Sequence, residues 1–158
     1  MKTNFLFPNR LKKIGWFFLI PSSLLLMSIL LSDWSQDYMQ INVFTLIGNE
    51  GLDSTKYFST VKNSVLDDIL MLVFIISGLL VAFSKEKIED EMVAKIRLDS
   101  LVWATYANYS LLILAIIFIY GAPFFTVMLI NMFALLIFFI IRFHWMLYKN
   151  SKISPDEE

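Results

Sequence analysis

The chain has 158 residues, 58% of them hydrophobic and 16% aromatic, with 17% charged and a formal net charge of -1. A soluble domain carries about 25% charged residues, and a core of this length cannot hide so much apolar surface from water. No Cys is present to serve as nucleophile, thiolate ligand, disulfide or palmitoylation site, one His cannot build a two-imidazole site, and no Gly spacing forms a phosphate loop.

The first apolar run, Ile14 to Leu31, follows Lys2, Arg10, Lys12 and Lys13. That flank resembles the n-region of a signal peptide, but the run exceeds the 7 to 15 residues of a cleaved h-region. No small-x-small cleavage site follows before Asp33, so an uncleaved first span over 14–31 is expected. Residues 32–65 follow as the one sizeable element expected outside the membrane. Met39, Ile41 and Val43 alternate with Gln40 and Asn42, which predicts a short strand. Gly48-Asn49-Glu50-Gly51 is a turn signal. Tyr57, Phe58, Val61 and Val65 then recur at helical spacing, which predicts a short amphipathic helix. The loop is expected to cap the helices or lie among lipid headgroups.

Ser64-Val65-Leu66-Asp67 fits a capping box and opens a second span, 66–84. The third span covers 101–120 and the fourth 124–142, with Gly121-Ala122-Pro123 leaving room only for a tight hairpin. About 20 residues cross a 30 Å hydrocarbon core. The expected fold is an all-α four-transmembrane-helix bundle, one membrane domain over 1–158. All but Lys56 and Lys62 of the 13 basic residues fall on the N-terminal tail, the 85–100 loop and the C-terminal end. By the positive-inside rule this predicts N-in and C-in, as an even number of spans requires. Trp16, Trp34, Trp103, Trp145, Tyr120 and Tyr148 fall near span ends, as an interfacial aromatic belt does.

Residues 85–100 lack Gly and Pro and predict a cytoplasmic juxtamembrane helix that begins near Lys87 and continues the third span to Tyr120. Such a helix would have about 34 residues and a length of about 50 Å. Ile88, Met92 and Ile96 recur every four residues, and Glu91 with Lys95 forms a favourable i,i+4 pair. These five residues are the candidate partner-binding face; the alternative is a solvated connector. Asp90-Glu91, then Ile96-Arg97, then Ser100-Leu-Val-Trp-Ala104 entering a span, resembles a pattern in small uncharacterised bacterial four-helix membrane proteins. Tyr120-Gly-Ala-Pro-Phe-Phe125 through Ile141-Arg142-Phe143 resembles their last hairpin, so the likeness covers roughly residues 80–148. Met92 stands where such proteins often carry Arg. Some of these families sit beside helix-turn-helix regulators, and the resemblance therefore implies a regulatory partnership.

No Asp, Glu, Lys, Arg or His lies in the middle of any predicted span, whereas ion-coupled transport normally needs one there. Ser22, Ser23, Ser28, Ser77, Asn108 and Asn131 are the candidate interhelical polar contacts, and Ser77-Gly78 would allow one close helix approach. Counted from the span ends, Asn108 and Asn131 differ in depth by about 9 Å, so they are not expected to pair. Their expected partners are Ser22 and Ser23 for Asn108, and Ser28 and Ser77 for Asn131. Arg142, His144 and Trp145 are candidate headgroup contacts. Residues 150–158 read as a disordered acidic tail.

The expectation is a non-enzymatic interaction or regulatory protein of a bacterial inner membrane, without cofactor or metal. Its partners would be membrane lipids and a cytoplasmic or membrane protein or a second copy, but not nucleic acid. An oligomeric channel or small-solute exporter is the alternative, and a headgroup enzyme using His144 a minor one.

Overall fold

Four apolar runs become four helices in the computed structural model, which describes residues 6–32, 40–48 and 56–153. The elements in chain order are α1 (Asn9–Ser32), β1 (Gln40–Gly48), β2 (Lys56–Ser64), α2 (Val65–Ala82), α3 (Glu91–Phe118) and α4 (Ala122–Ile153). The described residues are mostly helical, and all four helices are long and apolar enough to cross a membrane. With 18 residues, α2 is the shortest; at 1.5 Å per residue it measures about 27 Å, close to the hydrocarbon thickness. The chain forms two compact units, Met1–Trp16 with Ile75–Glu158, and Phe17–Phe74.

In the first unit, α3 and α4 form an antiparallel pair around a turn at Gly121. Gly121 adopts φ 77, a left-handed conformation that costs an L side chain about 1–2 kcal/mol. Ala122 and Pro123, expected in the loop, instead open α4, where the missing proline N–H does no harm. The buried face of α3 carries Ile96, Arg97, Ser100, Ala104, Asn108 and Ala115. Apart from Ile96, small and polar residues face inward while most Leu, Ile and Phe of α3 face out, the arrangement expected of helices packed in lipid. Phe139, Ile140 and Phe143 of α4 complete this core with Val81 and Ala82 of α2. The start of α1 packs on α2 at Gly15, where an added Cβ would stand 2.8 Å from Val81 and 3.0 Å from the Ser77 carbonyl. The close approach expected at Ser77-Gly78 thus involves a glycine of α1.

The second unit overturns one expectation. Residues 56–64 form a strand, not an amphipathic helix, and pair antiparallel with β1 from Gln40↔Ser64 to Gly48↔Lys56. Tyr57, Thr60 and Val61 suit a pleated surface and β1 pairs with the strand, whereas a nine-residue helix is too short to be stable by itself. Helical spacing over so short a run cannot be told from alternation. The turn signal at residues 49–51 lies outside the described residues, as do Met39 and Trp34. β2 runs straight into α2 at Val65, so the helix begins right after Ser64.

Two further boundaries move. Helix α3 has 28 residues, about 42 Å, and begins at Glu91 instead of Lys87. The Asp90 carboxylate accepts from the Val93 N–H at 2.7 Å and caps it there. Helix α4 continues to Ile153, into the segment expected to be a disordered tail; residues 154–158 lie outside the described residues.

Candidate functional site

The densest polar constellation lies where the chain leaves α2 and enters α3. The segment before α1 forms a parallel bridge there between Phe7 and Ser84. The Phe7 N–H donates to the Phe83 carbonyl, and the Lys85 N–H donates to the Phe7 carbonyl, both at 2.9 Å. Asn9 Nδ2 donates to the Lys85 carbonyl at 2.6 Å, and Lys12 Nζ meets Glu86 Oε1 at 2.5 Å. Glu89 Oε2 accepts from the Glu86 N–H at 2.9 Å. A connection with no regular structure is thereby held from both sides.

Arg97 anchors it. Only 8% exposed, it donates from Nη1 to Glu89 Oε1 at 2.6 Å and from Nη2 to Oε2 at 3.2 Å. Nη2 also reaches the Ser84 carbonyl at 3.4 Å, and the guanidinium stands 5.1 Å over the Phe143 ring. Phe143 stacks on Phe139, which stacks on Phe83. A buried charge is tolerated only when paired, and the two-pronged carboxylate contact with an aromatic face beneath meets that demand. Partial burial pushes the Glu89 carboxyl up. The Arg97 hydrogen bond, the Glu86 N–H and the charges of Arg97 and Lys85 outweigh it and set the group below its ordinary 4.5. The sequence placed Arg97 only among the basic residues of the 85–100 loop. Its position one turn before Ser100, in line with Ala104 and Asn108, is the signal that would have placed it inward.

The proposed partner-binding residues do not form one stripe. Ile88 sits on the connection and is 76% exposed, while Met92 on α3 is 48% exposed. Glu91 and Lys95 are also exposed. Ile96, 7% exposed, faces the core. The helix starts at Glu91, which leaves Ile88 off its surface, and the remaining pair is split between exposed Met92 and buried Ile96.

The polar residues of the spans also sort differently. Asn131 Nδ2 donates to Asn108 Oδ1 at 3.2 Å and to the Asn108 carbonyl at 3.3 Å, and Asn108 Nδ2 faces Asn131 Oδ1 at 3.4 Å. This pairing contradicts the expected 9 Å offset. Asn108 lies 10 residues from the last residue of α3 and Asn131 lies 9 from the first residue of α4, a mismatch of about 1.5 Å. The offset arose from placing the turn at the ends of the apolar runs and not at the helix ends. Ser22, Ser23 and Ser28 donate to carbonyls three residues back in α1, those of Leu19, Ile20 and Leu25. Their donors are satisfied within the helix and not between helices. Ser77 is buried on α2.

Of the expected headgroup contacts, Trp145 is exposed and Arg142 stands 4.9 Å over the Trp103 ring. His144 turns inward: its ring meets Trp16 and Phe143 edge-on at 5.4 and 5.5 Å. Nδ1 lies 2.8 Å from the Ile140 carbonyl, a contact in which Nδ1 carries a proton and donates it. The buried Nε2 has no hydrogen-bond partner among the described residues. Among the described residues no three of His, Asp or Glu stand together to hold a metal. A cavity of about 320 Å³ between α2 and α4, lined by Ile75, Leu79, Phe83, Met132, Leu136 and Phe139 among others, is apolar throughout. The arrangement can hold a charged connection rigid and offer its outer face. The chain matches no protein-family model, no curated protein and no solved structure.

Proposed function

We propose that this chain is a non-enzymatic, multi-pass regulatory protein of the bacterial inner membrane, with both ends in the cytoplasm. It docks a protein partner on the α2–α3 connection and the first turns of α3. The observation that carries the reading is an exposed Ile88 on a connection fixed by the Arg97–Glu89 pair. An apolar side chain held outward on a rigid, charged frame is pre-organised for recognition, because little ordering remains to be done on binding. Met92, Glu91 and Lys95 extend the same exposed surface. The clustering of basic residues on the N-terminal segment, this connection and the end of α4 supports its cytoplasmic placement. Asn108 and Asn131 engage each other, which counts against their lining a channel.

A photo-crosslinking residue at Ile88 or Met92, with Lys149 as control, tests this in living cells. A single foreign protein captured from Ile88 and Met92 but not Lys149 is expected. Capture of lipid alone from all three positions would overturn the docking face, and self-crosslinks alone would make it an oligomer contact.

A further inference from the structure

The β-hairpin carries its apolar side chains on the outside. Register places Asn42, Phe44, Leu46, Phe58, Thr60 and Lys62 on one face, and the Phe44 and Phe58 rings, 6.5 Å apart, share it. Phe44, Leu46 and Phe58 are all exposed, Phe58 to 72%. The opposite face is covered in part, with Val61 buried and Val43 half-buried, but Ile47 and Tyr57 stand exposed at its far end. Phe58 also holds φ 52, a left-handed backbone that a bulky side chain rarely adopts. A lone two-stranded hairpin is marginal in water even with its apolar groups covered. This one exposes five large apolar side chains in its far half.

Three features identify what covers Phe44, Leu46 and Phe58. β2 passes into α2 without a linker, so the hairpin is tethered where a membrane-crossing helix begins. Its open face is graded, with Asn42 and Lys62 near α2 and Phe44, Leu46 and Phe58 farther along. Ile69 and Leu72 in the first turns of α2 are exposed as well, as expected of a span in lipid. A strand of nine residues standing upright would carry Phe44 and Phe58 well clear of the bilayer into water. Lying down, it places them at the boundary of headgroups and acyl chains, with Lys62 beside phosphate.

We propose that the hairpin is a lipid-binding element, lying along the bilayer surface with Phe44, Leu46 and Phe58 inserted and Lys62 at the level of the phosphates. The inference rests on reading α2 as a membrane span. Because the chain has no Cys, a single introduced cysteine takes a nitroxide label uniquely. Full-length Leu46→Cys, Phe58→Cys, Asn42→Cys and Leu72→Cys proteins are labelled and reconstituted into vesicles of phosphatidylethanolamine and phosphatidylglycerol. Collision rates with oxygen and with a water-soluble nickel chelate then give the depth of each label. Labels at 46 and 58 are expected about 5–10 Å below the phosphates, with 42 in the chelate-accessible layer and 72 deep in hydrocarbon. Chelate access at 46 and 58 equal to that at 42 overturns the proposal, provided 72 is deep. A water-exposed 72 overturns the membrane reading itself. Protection of 46 and 58 from both reagents, with spectral broadening that unlabelled protein dilutes away, overturns the proposal in favour of a second copy.

Discussion

At the α2–α3 connection charge is turned inward; in the β-hairpin hydrocarbon is turned outward. The first places Arg97 against Glu89 and the Phe143 ring, while the second leaves Phe44, Leu46 and Phe58 without cover. Both invert the pattern of a soluble domain, where buried charge is rare and large exposed apolar patches mark binding surfaces. The inversions differ in what they demand. Buried charge needs a partner of fixed geometry from the same chain, whereas exposed hydrocarbon needs only an apolar medium. The connection is accordingly specified by a charged pair and its hydrogen bonds, and the outer face of the hairpin by composition and strand register.

The largest test of this contrast is Arg97→Ala. It removes the two-pronged contact, the bond to the Ser84 carbonyl and the cation over Phe143 together. Glu89 retains some solvent access, so the expected loss is about 2–3 kcal/mol, below the 3–5 kcal/mol of fully buried pairs. Thermal unfolding in mild detergent measures it, and Arg97→Lys should recover part because it keeps the charge but not the fork. A loss under about 0.5 kcal/mol, the range of ordinary surface changes, would show that the pair does not hold the connection.

A smaller effect belongs to the Asn108–Asn131 pair, which is neutral and lies among apolar side chains. Interhelical hydrogen bonds of this kind contribute about 0.6 kcal/mol, reaching 1.7 at most. A double-mutant cycle with Asn108→Ala and Asn131→Ala should return a coupling of about that size. Zero coupling would mean that the two amides find other partners and that register is set by packing alone.

The four long apolar helices and the start of α2 were legible because they follow the apolar runs and a local sequence signal. Three features were not. The β2 strand depends on its pairing with β1, which spacing within Tyr57–Val65 does not contain. The Asn pair depends on where the Gly121 turn ends each helix, and an apolar run does not reveal that. Arg97 did not stand out as a buried group because the sequence around it is rich in both signs. Its burial depends on Ser84, Glu89 and Phe143 converging from different elements. Charge near a span is easily assigned to water, although the small and polar line through Ser100, Ala104 and Asn108 marks the inner face of α3.

The smallest effect, and the one most specific to the connection, comes from protonating Glu89. Its carboxyl lies below its ordinary 4.5 because the contacts of Arg97, the Glu86 N–H and Lys85 outweigh partial burial. In the opened state that support is gone and the pKa returns toward its ordinary value. Between the two values the open form binds more protons than the closed one, so acid favours opening. The contribution is complete above the ordinary carboxylate range and is lost as pH falls through the depressed value. Amide hydrogen exchange at Lys85–Asp90, followed from neutral pH into acid and corrected for the intrinsic pH dependence of exchange, should show protection falling in that window. Glu89→Gln should lower protection at neutral pH and abolish the acid-dependent part, since an amide keeps a weaker contact with Arg97 but cannot titrate. If the acid-dependent loss survives Glu89→Gln, another carboxylate governs it. Glu86, paired with Lys12, would then be the group to replace next.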